Sequence, residues 1–130
     1  VVHTDAIKCN IVPTLTEAQK KYIYAEEADV LNVALFGLTA KEWRNNNPSL
    51  KDSGNIRDYT DLMHLVILKN LENINAELIA MQMPQYERLE KLNSIARKQM
   101  ILLENNRSFD NLQYIDRNIN KGINIATNNK

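Results

Sequence analysis

Apolar residues recur along this chain at helical spacing, and polar residues and turn formers cut the pattern into segments. The clearest run begins at Leu62. From there to Leu68 apolar side chains fall nearly all the way round a helix, and the run then narrows to Leu71, Ile74, Leu78 and Ile79. A helix packed on several sides has that pattern, so residues 60–81 are predicted to be the buried central helix. Thr60 or Asp58 is placed to cap it. Met83-Pro84 makes a turn, with Pro84 near the first position of the next helix. That helix is predicted over residues 84–104, with Leu89, Leu92, Ala96, Met100 and Leu103 at helical spacing. So short a connection makes the two helices an antiparallel hairpin.

The N-terminal half is punctuated more heavily. Pro13 biases Val12 towards extended geometry. Thr16 and Gln19 form a capping box, and residues 16–36 then carry a helical pattern. This is one helix, or a short helix, a break near Tyr24 and a second helix, because residues 25–29 are polar and acidic. Gly37 is the stop signal. Thr39 and Glu42 form a second capping box, opening a short helix at Ala40 that carries Trp43 and ends in Asn45-Asn46-Asn47-Pro48. Residues 50–55 are expected to be a loop. At the other end, Asn105-Asn106-Arg107 is expected to break the pattern. Ser108 then caps a weaker helix on Phe109, Leu112, Ile115 and Ile119, and Gly122 ends it. There is no internal repeat and no heptad register sustained for three repeats. The predicted fold is all-α, a compact bundle of four to five helices. Residues 1–15 are an extended lead-in from an upstream domain, 16–122 the helical domain and 123–130 a frayed tail.

Composition narrows the function classes. The 130 residues are 44% hydrophobic and 25% charged, globular values for one domain. Three Gly and three Pro are too few for the turns of a β-sandwich. Net charge is zero, so the overall field offers no steering towards phosphate. Cys9 is the only cysteine; it cannot form an internal disulfide, which fits a reducing cytoplasm. No apolar run reaches the length of a membrane span.

Candidate chemistry is sparse. Asp61-x-x-His64 is the half-motif of di-iron bundles, with Glu26, Glu27, Asp29 and Glu72 as further oxygen donors. Such sites need two carboxylate-x-x-His pairs, and there is one. No glycine-rich phosphate loop, no Ser-His-acid set and no zinc spacing occurs. No metal, cofactor or catalysis is therefore expected. Trp43 and Arg44 could contact a partner, or Trp43 could be a lid over the core. Arg57 and Asp58 could do the same, or clamp the loop that leads into the central helix. Among Asn70, Asn73 and Asn75 at least one should face inward and bond a loop carbonyl. Met81, Met83 and Met100 read as soft core fillers. Arg88, Lys91, Arg97 and Lys98 line the polar side of the last long helix, among Glu87 and Glu90. A solvated, ion-paired face is the default there, and nucleic-acid contact the alternative.

One resemblance adds context. The words HTDAIKCNIVPT, EADVLNVALFGLTAKEWR, GNIRDYTDL and ERLEKLNSIARKQM occur in that order from about His3 to Leu103. They resemble the region downstream of the DNA-binding domain in bacterial and phage KilA-N domain proteins. The resemblance implies a phage-derived, intracellular, non-enzymatic protein whose DNA-binding domain, a small mixed α/β fold, lies before Val1. The missing initiator Met fits that expectation. No DNA-contacting residue carries over, because no strand hairpin or basic recognition helix is present here. The implied role is a helical interaction or oligomerisation domain, with a second copy or another protein as partner and DNA reached through the upstream domain. The competing classes are a module that itself contacts nucleic acid and a helical-bundle metal enzyme.

Overall fold

The computed structural model describes the backbone of residues 11–50 and 54–121, and side chains up to residue 106 apart from residue 50. Among the described residues there are five α-helices and two 3-10 turns, with no strand. The helices are α1 (Glu17–Lys21), α2 (Glu27–Phe36), α3 (Ala40–Asn46), α4 (Leu62–Ala80) and α5 (Gln85–Lys121). The 3-10 turns are Pro48–Leu50 and Ile56–Tyr59. The chain divides into two units, Val1–Met100 and Ile101–Lys130. The predicted frayed tail and most of the predicted lead-in lie outside the described residues.

Local chemistry sets the boundaries. Both predicted capping boxes form: Thr16 accepts from the Gln19 N–H and Thr39 from the Glu42 N–H, each at 3.1 Å, and the Gln19 and Glu42 side chains accept in return. α1 lasts little more than a turn, so the two-helix reading of residues 16–36 holds. Gly37 ends α2 at φ 79°, a left-handed geometry that disfavours any residue with a Cβ. A Cβ there would also lie 2.8 Å from Pro13 Cγ. The cap of α4 is neither Thr60 nor Asp58. Asp61 takes that role, accepting from the His64 N–H at 3.0 Å. Asp58 is committed one turn earlier: it and Asn55 form a capping box around the second 3-10 turn.

α4 is the central helix. α2 packs against it, and α5 returns alongside it. The direction follows from two bonds: Asn75 pairs with Arg88, and Asn70, five residues earlier, pairs with Gln99, eleven residues later. Met63, His64, Ile67, Leu68, Leu71, Asn75 and Leu78 are its buried contribution, while Leu62 and Val66 are exposed. The near-complete apolar circumference therefore does not mean burial on every side. The most enclosed helix is α2, where Val30, Leu31, Asn32, Val33, Ala34 and Leu35 are all buried. His64 is buried as well, with its ring stacked on Phe36 at 5.6 Å and its Nδ1 2.7 Å from Asp61 Oδ1. That contact fixes the end of α2 on the start of α4.

The expected break at Asn105-Asn106-Arg107 does not occur, and α5 runs unbroken to Lys121. Asn weakens a helix by at most about 0.7 kcal/mol relative to alanine, several times less than proline would. A short Asn run therefore need not end one.

Candidate protein-interaction face

The N-terminal half is held to α5 by polar side chains buried against it. Arg88 is the centre of the arrangement. Its guanidinium donates to both Glu27 carboxylate oxygens, to Asn75 Oδ1 at 2.9 Å and, through Nε, to the Met83 carbonyl at 3.0 Å. Asn75 Nδ2 donates to Glu27 Oε1 at 3.1 Å. Arg88 is thus a buried residue joining α2, α4 and the hairpin turn, and its expected place on an exposed basic face is corrected. Its position in the helix explains this. It falls on the same stripe as Leu89, Leu92 and Ala96, and four of its N–H groups find acceptors there. Lys91, Arg97 and Lys98 are exposed. Arg97 donates to Thr14 Oγ1 at 3.1 Å.

The guanidinium holds the Glu27 carboxyl below the usual carboxylate range, against the opposing effect of burial; Asn75 and Gln85 add to the lowering. A depressed carboxyl contributes stability above its unfolded value of 4.5 and loses it as pH falls through the folded value. The wild-type chain should therefore lose stability on acidification below that point more steeply than Glu27→Gln. Parallel urea titrations between neutral and acid pH check this; equal slopes would exclude the ion pair as the source.

Two amides missed by sequence reasoning complete the join. Gln85 pairs with the Tyr24 backbone as a strand neighbour would: Oε1 accepts the Tyr24 N–H at 2.8 Å, and Nε2 donates to the Tyr24 carbonyl at 2.9 Å. Asn93 Nδ2 donates to the Pro13 and Ala34 carbonyls at 2.9 and 2.8 Å. Both amides lie on the inner side of α5, and that placement within an apolar stripe is the signal that could have flagged them.

Gln85 fixes the chain between α1 and α2 against the first turn of α5, and a groove of about 610 Å³ lies along this junction. Tyr22, Ile23 and Tyr86 line it and are 64%, 81% and 59% exposed. Its charged rim includes Lys20, which pairs with Glu17 at 3.5 Å and Glu90 at 3.9 Å. The Tyr22 ring meets Tyr24 edge-on at 4.8 Å. This face offers aromatic area fixed by hydrogen bonds from behind, which suits protein contact.

The other predicted positions lie elsewhere. Trp43 is 1% exposed and stacks on Tyr59 at 5.6 Å, so its ring is out of a partner's reach. Arg44 is half-buried. Arg57 donates to Glu72 of α4 at 3.0 Å, while Asp58 accepts from the Asn55 N–H at 3.1 Å. The buried amide of the three asparagines is Asn75, and its partners are Arg88 and Glu27 rather than a loop carbonyl. Among the described residues no three metal-binding side chains cluster, and no helix is long and apolar enough to cross a membrane. Comparison with known protein families, with curated proteins and with solved structures finds no match for this chain.

Proposed function

We propose that the chain is a helical protein-interaction domain that binds a second copy of itself, and that it serves a KilA-N-type DNA-binding protein by bringing two DNA-binding domains together. The supporting observation is that, besides exposed residues of α4 such as Leu62 and Val66, large apolar side chains remain in water in two further groups. One is the Tyr22–Ile23–Tyr86 groove, and the other is Ile101 and Leu102 on α5. Scattered single hydrophobes need no explanation, but grouped ones on a polar surface mark contact sites. The benefit of pairing is multivalency: two weak DNA contacts joined through a dimer bind far more tightly than either alone. The DNA-related part of the proposal rests on the resemblance of the words ending in ALFGLTAKEWR and NIRDY. Chemistry by a metal is not part of it, since Asp61 caps a helix and His64 is packed under Phe36.

Sedimentation of the 130-residue chain between about 1 and 100 µM tests the reading. A reversible monomer–dimer equilibrium is expected, with no gel shift of DNA by this chain alone. A monomer throughout would reduce the domain to a spacer. A salt-sensitive shift would instead favour direct nucleic-acid contact through Lys91, Arg97 and Lys98.

A further inference from the structure

From Ile101 onward α5 belongs to a second unit, and its helical backbone continues to Lys121. At 1.5 Å per residue this is about 31 Å of helix. Its composition is poor for a helix standing alone. Residues 101–121 hold five Asn, one Ser and three β-branched Ile, all of middling to low helix propensity. Most helical stability in proteins comes from packing of an apolar face rather than from propensity, so a helix of this composition calls for a packing partner.

The sequence pattern on that backbone indicates which partner. Over a stretch short of three full heptads, positions 101, 105, 108, 112, 115 and 119 follow the alternating four-three spacing of a coiled-coil seam, with apolar residues at four of the six. They carry Ile101, Asn105, Ser108, Leu112, Ile115 and Ile119. Taking 105, 112 and 119 as a positions makes 101, 108 and 115 the d positions. Heptad positions c and f carry, among others, Arg107, Asp110, Arg117 and Lys121. The start of the seam lies within the described side chains, and there Ile101 is 61% exposed, with Leu102 beside it at 60%. One Asn at an a position favours a parallel pair of identical helices, since each amide then meets its own copy across the seam. The flanking positions allow it. In a parallel pair Glu104 faces Phe109 and Asn111 faces Asp116, so no like charges oppose each other.

We infer that residues 101–119 form a parallel two-stranded coiled coil with a second copy of this chain. This rests on the self-association proposed above and assigns it to one surface, leaving the aromatic groove free. The test uses the full chain. Sedimentation should give a wild-type dimer. Leu112→Glu/Ile115→Glu should raise the dissociation constant at least about tenfold, with unchanged Trp43 fluorescence showing an intact first unit. Tyr22→Ala/Tyr86→Ala should dimerise as the wild type does. A wild-type dimer that the helix variant leaves untouched would overturn this assignment alone, whereas a monomeric wild type would overturn self-association itself. For orientation, Ile119→Cys in a Cys9→Ser background should cross-link its own copy under mild oxidation. A dimer that fails to cross-link would refute the parallel arrangement.

Discussion

Trp43→Ala is expected to cost about 3–5 kcal/mol, the range for truncating a large core aromatic. That is a large fraction of what a domain of this size possesses. The ring is almost wholly enclosed, and its stack on Tyr59 joins α3 to the second 3-10 turn. The Asn47 amide donates back to the Trp43 carbonyl at 2.7 Å, so the end of α3 is organised around the same residue. Urea unfolding followed by circular dichroism measures the loss, and a change below about 1 kcal/mol would show that the ring is not part of the core. Trp43→Phe gives a useful contrast. Among the described residues the buried indole Nε1 has no hydrogen-bond partner, so losing that N–H carries little cost of its own. The phenyl variant should fall well short of the alanine loss.

Arg88→Met should be the next most damaging change described here, at about 2–3 kcal/mol. It keeps the volume of the stem but strips partners from Glu27, from Asn75 Oδ1 and from the Met83 carbonyl. Breaking a fully buried pair costs more, but the Glu27 side chain is 43% exposed and can recover part of its hydration. A double-mutant cycle with Glu27→Gln separates the pair from the packing. Strong coupling is expected, and additive losses would assign the effect to the methylene stem instead.

The parts of this fold that could be read from the sequence are those decided within a few residues. The boxes at Thr16 and Thr39 and the stop at Gly37 need only neighbours three or four positions away. The Leu-rich hairpin is fixed by a short turn between two long apolar periods. What escaped reading depends on residues far apart. Arg88 meets Glu27 across 61 residues, and Asn93 meets Pro13 across 80. Local sequence placed Arg88 between Glu87 and Glu90, which looks like a solvated face. Its helical register with Leu89, Leu92 and Ala96 points the other way, and register was the better guide. The misplaced cap of α4 has a different origin. Thr60, Asp61 and Asp58 are all good caps, and the choice fell to Asp61 because a 3-10 turn occupies Ile56–Tyr59 and uses Asp58. Of the candidate face, Tyr22 and Tyr86 carried no sequence signal, and Ile23 read as part of the apolar helical pattern of residues 16–36, whereas it is exposed. Their exposure is a product of how Gln85 folds two distant segments together.

The reach of Asn93 has a consequence for how the protein is made. Its amide closes the N-terminal segment onto the end of α2, with partners 59 and 80 residues upstream. Contacts of such sequence separation form late, because the intervening chain must be gathered before they can reward it. The α4–α5 hairpin, by contrast, is nearly local and can form as soon as both helices exist. On the ribosome, α2 therefore emerges with its buried apolar residues uncovered. It meets α4 first, against which it packs, and waits on the order of several seconds at ordinary elongation rates for the α5 residues that complete its seat. The nascent chain carries a sticky helix through that interval, and its last polar fastening is a single asparagine in the third turn of the last helix.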